Sequence, residues 1–201
     1  MDEKVTVLVL FYESVSCTDF MYNLNLLEIE QWMNIISKFT LGSEKGINIF
    51  LSLKEAHLNE MYNGLIDPIK LKSYIGTELD RRTAINNLND LSTQLIVVFD
   101  IDDDRALGYA VIRNNFPQPA ILQGKRAVNL SFFILPEYNI PKVQQSLWQK
   151  CFSVTKNYSH CIELPADNPL ISFFESLEFK VAEESKLQPF DITSQIMVRV
   201  N

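Results

Sequence analysis

Residues able to do chemistry at neutral pH are few in this sequence. The imidazoles are His57 and His160, and the thiols are Cys17, Cys151 and Cys161. Two histidines without a Cys-x-x-Cys pair do not assemble a zinc site, which takes three or four nitrogen and sulfur ligands, so no metal is expected. The thiols read as small buried hydrophobes in a reducing compartment. The run Asp102-Asp-Asp-Arg105 offers three adjacent carboxylates. It lacks the glycine and the distant bidentate Glu of a calcium loop, so it reads as the solvated turn of a hairpin. Arg81 and Arg82, beside Glu78 and Asp80, read as a paired, solvated helix face. Carboxylates, phenols and hydroxyls are spread along the chain, among them Glu137, Tyr138, Tyr158, Glu163 and Ser172. A carboxylate can accept a proton and a phenol can donate one.

These groups sit on a stretch, Val128 to Phe179, that reads as strand, helix, strand, helix. Val128 to Leu135 is too apolar on both faces to border water. From Ile140, the positions Val143, Leu147, Cys151 and Val154 form a helical stripe. Cys161 to Leu164 returns as a strand. Asn168 as N-cap and Pro169 at the first position predict a helix with Leu170, Phe173, Phe174 and Leu177 inward. Phe179 to Ser185 and Gln195 to Val200 close the chain as an antiparallel pair. Upstream, Gln94 to Ile101 and Leu107 to Arg113 form a hairpin, and Asp67-Pro68 opens one helix running to Leu91. Ile47 to Leu51 reads as a strand, with Ser52 capping a helix from Leu53 to Leu65. Residues 5–11 read as a strand, Leu24 to Phe39 as a helix, and Gly42 to Gly46 as a loop. This order predicts an α/β (α+β) fold: a mixed, mostly antiparallel central sheet with helices on both faces.

With 201 residues, 47% of them hydrophobic, the chain can bury a sizeable core. A formal charge of −7 disfavours nucleic acid and anionic membranes as partners and permits a cationic one. The apolar run Val5 to Phe11 is shorter than the roughly 20 residues of a membrane span. Asp2 and Glu3 before it make a poor signal peptide, so a cytoplasmic location is expected. Residues 1–45 read as a strand-helix extension too small for its own core, packed on a main domain spanning 46–201.

From about residue 46 to 201, the sequence resembles the GNAT superfamily of acyl-CoA-dependent N-acetyltransferases. The resemblance is carried by Leu135-Pro-Glu-Tyr138 ahead of a helix and by Asn168-x5-Phe174 closing on Leu177-Glu-Phe179. Ala106-Leu-Gly-Tyr-Ala110 resembles the family's third strand. The resemblance implies a sheet that splays after the fourth strand, with acetyl-CoA as co-substrate in the cleft. It implies a small-molecule or peptidyl amine as acceptor, and is compatible with a homodimer. It points to Glu137 and Tyr138 as catalytic residues. As contacts to the co-substrate it points to Ile134, Leu135, Lys142, Val143, Gln144, Gln145, Asn168 and Phe174.

Two departures from the family pattern stand out. The family's glycine-rich turn cradles the CoA diphosphate with backbone N–H groups. Here it reads Asn139-Ile-Pro-Lys-Val-Gln-Gln145, with no glycine, no donor at Pro141, and side chains at Ile140 and Gln144 where the diphosphate belongs. Phe174 stands where the family has a proton-donating Tyr. Three readings follow: an N-acetyltransferase, a catalytically inactive GNAT-fold binding or assembly module, and an acyltransferase with a donor other than CoA.

Overall fold

The computed structural model describes residues 33–40 and 42–201, and the compact unit it contains runs from Ile35 to Asn201. The strand expected at residues 5–11 lies outside the described residues. Strand β1 is Ile35–Phe39, followed by helices α1 (Glu44–Tyr62), α2 (Pro68–Glu78) and α3 (Arg81–Asn89). A hairpin of β2 (Thr93–Asp100) and β3 (Arg105–Arg113) leads to β4 (Ala127–Ile134) and helix α4 (Pro141–Val154). Then come β5 (Ser159–Pro165), the short helix α5 (Ile171–Ser176), β6 (Lys180–Leu187) and β7 (Ile192–Arg199). The seven strands form one sheet in the order β1-β2-β3-β4-β5-β7-β6. Every neighbouring pair is antiparallel except β4 and β5, so the expected mixed, mostly antiparallel sheet is present.

Helices cover both faces of this sheet. On one face α1 and α3 press Phe50, Leu53 and Ala84 onto Val97, Tyr109 and Phe133. On the other, Trp148 of α4 and Phe174 of α5 meet edge-on, and Phe174 meets Phe132 of β4 in the same way. At one end of α1, Tyr62 packs on Phe190 from the β6–β7 turn, with ring centroids 5.1 Å apart. Tyr74 of α2 packs on the same Phe190. Burying these rings ties α1 and α2 to the β6–β7 hairpin across one end of the sheet.

Several local expectations are corrected by the structure. Ile47–Leu51 is the start of α1, not a strand: Ser43 Oγ accepts the Gly46 N–H at 3.2 Å, and Ile47, Phe50, Leu53, Leu58 and Tyr62 are buried along one side. Capping and three-to-four spacing outweigh the local β-propensity of Ile-Asn-Ile-Phe-Leu. Ile35–Phe39, expected at the end of a helix, instead pairs antiparallel with β2, Ile35 opposite Asp100 and Phe39 opposite Ile96. The single helix expected from Asp67 to Leu91 is two. Asp80 interrupts it by accepting the Thr83 N–H at 2.7 Å and capping α3 anew. Asn168 does accept a backbone N–H, that of Leu170 at 2.9 Å, but this closes a turn and α5 starts only at Ile171.

Candidate active site

The central feature is where β4 and β5 part. Their parallel pairing runs from Ala127 opposite Ser159 to Leu130 opposite Ile162 and then stops. Both strands continue, β4 to Ile134 and β5 to Pro165, while β4 remains paired with β3 to its end. The Leu135 N–H donates to Leu107 on the β3 side at 2.9 Å. Strand alternation therefore turns the backbone N–H and C=O of Phe132 and Ile134 toward the gap beside β5. Gly108 of β3 supports this region from the other side. A Cβ there would lie 2.4 Å from the Phe133 carbonyl oxygen and 2.8 Å from Ile134 Cα, so only glycine lets β3 approach β4 so closely.

Three cavities of about 220, 180 and 230 Å³ open along the face of the sheet that carries α1. His57 lines all three. Helical spacing carries it there, one turn beyond Leu53, which is buried in the sheet contact. Its ring stacks on Phe133 of β4, centroids 4.5 Å apart and planes 13° from parallel. Its Nδ1 lies 2.8 Å from the Tyr109 hydroxyl on β3. Burial, helped by the nearby Lys54 ammonium, pushes the His57 pKa down to about 4, so the ring is neutral at physiological pH. Burial likewise raises the Tyr109 pKa, so its phenol keeps its proton.

The cavity inside the β4–β5 gap is lined by His57, Met61, Asn129, Ser131 and Glu163 among others. Glu163 accepts a hydrogen bond from Ser194 Oγ at 2.8 Å, which fixes one carboxylate oxygen. Ser131 Oγ accepts from Arg113 at 3.2 Å. The adjoining cavity adds Glu60 and Asp167. Among the described residues no Lys or Arg lines either of these two cavities. Lys54, in the third, is spent on Glu78 at 2.8 Å. The lining nearest β5 is thus anionic with a neutral imidazole at its centre.

The residues singled out from sequence fall elsewhere for the most part. Glu137 and Tyr138 lie in a 3-10 turn, Pro136–Tyr138, beyond the end of β4. Neither lines any of the three cavities, and the Tyr138 hydroxyl accepts a hydrogen bond from Arg105. Phe174 is fully buried at 0% exposure among Phe132, Trp148 and Phe179, so it faces the core. Ile134 and Val143 are buried, Leu135 packs against the α1-side core, and Lys142 and Gln145 are exposed. Asn168 lines a cavity, and Glu163 lines the one in the gap. Sequence reasoning missed His57 and Tyr109. The signal was present in the spacing from Phe50 and Leu53 to His57, but it was masked by reading Ile47–Leu51 as a strand. The other imidazole, His160, is fully buried on the opposite face against Trp148, their ring centroids 5.3 Å apart.

The turn into α4 does not fit a diphosphate. Four of its N–H groups are consumed by its own carbonyls: Tyr138 to Leu135, Asn139 to Pro136, Ile140 to Tyr138, and Val143 to Ile140. Ile140 is only 3% exposed, and Gln144 Nε2 reaches back to Asn139 Oδ1 at 2.9 Å. No cluster of His, Cys, Asp and Glu suited to a metal occurs among the described residues, and none of their helices is long and apolar enough to cross a membrane.

No protein-family model and no curated protein sequence matches this chain. Solved structures do. The PaiA N-acetyltransferase of Thermoplasma acidophilum, in complex with coenzyme A, superposes with a TM-score of 0.65 at 15% identity, over 84% of this chain and 100% of its own. A probable acetyltransferase of Staphylococcus epidermidis gives 0.61 at 12%, over 84% of this chain and 99% of its own. The spermidine N-acetyltransferase of Vibrio cholerae, with CoA and spermine, gives 0.54 at 11%, over 83% of this chain and 95% of its own. With its mixed seven-stranded sheet and the parting of β4 from β5, the chain has the fold of the GNAT N-acetyltransferases.

Proposed function

We propose that this protein is an amine N-acyltransferase of the GNAT type, taking an acyl group from a thioester to a small-molecule or peptidyl amine. The observation that carries this is the β4–β5 gap opening onto a cavity lined by His57 and Glu163. In such a transfer the amine nitrogen bonds to the thioester carbonyl carbon, the C–S bond breaks, and the nitrogen's proton ends on the departing thiol.

The chain's own residues serve this in three ways. The carboxylates of Glu60, Glu163 and Asp167 favour entry of an ammonium into a lining that has no Lys or Arg among the described residues. In the tautomer with the proton on Nδ1, donated to the Tyr109 oxygen, His57 presents the Nε2 lone pair to an amine N–H; in the other, the Tyr109 hydroxyl donates to Nδ1 and the Nε2–H is offered to the cavity. A ring whose pKa is about 4 is a hydrogen-bond acceptor at neutral pH and does not repel the incoming amine. It orients the nitrogen, and proximity accounts for the bulk of the rate. Similarity to enzymes crystallised with CoA and with spermine supports the same class of donor and acceptor.

The test is thiol release from acetyl thioesters, both acetyl-CoA and acetyl-pantetheine, in the presence of a panel of primary amines and diamines. Release that depends on the amine, with the acetylated amine found by mass spectrometry, is the expected result. Release no faster than the buffer blank across the panel rejects the proposal in favour of a catalytically inactive GNAT-fold binding module.

A further inference from the structure

The two halves of the co-substrate expected from this fold meet very different surfaces. Where a diphosphate belongs, the turn Leu135–Gln144 is already closed on itself. Three consecutive N–H groups are taken by internal bonds of 2.9 Å (Tyr138 to Leu135), 3.3 Å (Asn139 to Pro136) and 2.8 Å (Ile140 to Tyr138). Pro141 has none to offer. The Val143 and Gln144 N–H groups both go to the Ile140 carbonyl, at 3.1 and 3.0 Å. The buried Ile140 side chain and the Gln144–Asn139 bridge occupy the space that glycines leave open. Arg105 is held by Tyr138 and Asp103. An anion arriving here would have to break these bonds before it could use the N–H groups of Tyr138, Asn139, Ile140, Val143 or Gln144.

Where the thioester arm belongs, the surface is suited to it. The N–H and C=O groups of Phe132 and Ile134 face the gap and have no β5 partner beyond the Leu130–Ile162 pair. An extended chain carrying its own amides can complete that edge as an added strand. The arm of pantetheine, with two amides in line, is such a chain.

We propose that this protein recognises its acyl donor through the pantetheine thioester arm alone, and that the nucleotide part of CoA contributes nothing to binding. This deepens the acyltransferase reading and rests on it for the site. Its substrates are then acyl-pantetheine thioesters, whether the arm is carried by a nucleotide or by a carrier protein.

The experiment is calorimetric titration of the protein with CoA, with pantetheine and with 3′-phosphoadenosine 5′-diphosphate, followed by turnover with the acetyl forms of the first two and with an acetyl-loaded carrier protein. The expected result is CoA and pantetheine dissociation constants within about threefold, and no heat from the nucleotide at millimolar concentration. Binding of the nucleotide, or CoA binding tighter than pantetheine by tenfold or more, overturns the proposal. Absence of binding by both thiols overturns it as well. Equal binding of the two thiols without turnover leaves this proposal standing and removes the acyltransferase reading instead. Among active donors, a carrier-protein rate far above the acetyl-pantetheine rate identifies the protein-borne source, and equal rates identify the free arm as sufficient.

Discussion

The Nδ1 of His57 on α1 and the hydroxyl of Tyr109 on β3 lie 2.8 Å apart, joined across the contact between helix and sheet. The bond fixes the imidazole in the plane of its stack on Phe133 and leaves Nε2 for the cavities. His57→Phe keeps the stack and removes both nitrogens, and should lower kcat/KM for amine acylation by about 10- to 100-fold. Tyr109→Phe should lower it less, by about 3- to 10-fold. The double variant should match His57→Phe alone, because one residue acts through the other. Additive losses would place Tyr109 in direct contact with substrate.

Acid should destabilise the fold through its two histidines. Burial holds both His57 and His160 at a pKa of about 4, against 6.5 for an unhindered imidazole. Above pH 6.5 both folded and unfolded chains carry neutral rings. As pH falls from 6.5 toward 4 only the unfolded chain gains these protons, so stability is lost across that window. The reason is clear at His160. The Thr155 hydroxyl donates to the Cys151 carbonyl at 2.8 Å, so the His160 Nε2–H must donate to Thr155. Its Nδ1 is then a bare acceptor buried among rings, with no partner for an added proton. Unfolding near pH 5.5 should take up about two protons through these groups, and about one in His160→Phe. Urea melts across pH 5 to 8 measure this directly.

Gly108→Ala should cost about 3 kcal/mol, since its Cβ would meet the Phe133 carbonyl oxygen at 2.4 Å and backbone must move. Because the strand pushed aside is β4, whose other edge carries Phe132 and Ile134 in the gap, thioester binding should weaken along with stability. Thermal melts and donor titration on the same preparation separate the two losses.

Phe174→Tyr should not restore a proton donor. At 0% exposure the new hydroxyl would enter an aromatic core, and without a partner it should cost about 1–3 kcal/mol. Unchanged or lower turnover and a lowered melting temperature are expected.

Glu163→Gln keeps the hydrogen bond from Ser194 and removes a charge from the gap. The KM for cationic amines should rise about 3- to 10-fold with kcat little changed, and the rise should shrink in high salt.

The second half of the fold was legible in sequence because its signals agree. Apolar runs, the stripe from Val143 to Val154, and short turns all specify one order of elements. The first half was not, because its signals compete. Ile47, Ile49 and Phe50 favour a strand locally, yet the cap at Ser43 and burial at three-to-four spacing make a helix. Asp80 looked like one charge of a solvated face until its carboxylate proved to cap α3. That misreading hid the site. Once α1 starts at Glu44, Ile47 and Phe50 join Leu53 in marking the face that carries His57 onto the sheet; the shorter helix expected from Leu53 to Leu65 lacks those two markers. The cost of a glycine-free turn was readable from composition, whereas its closure depends on backbone bonds that residue types do not reveal.

The central claim, acyl transfer in the β4–β5 gap beside His57, is tested most directly by a structure with a bisubstrate analogue in which pantetheine and an amine are joined through an acetyl linker. The account predicts pantetheine amides bonded to the free edge of Phe132 and Ile134, with the former amine nitrogen about 3 Å from His57 Nε2. Binding outside the gap, or an analogue nitrogen remote from His57, would contradict it.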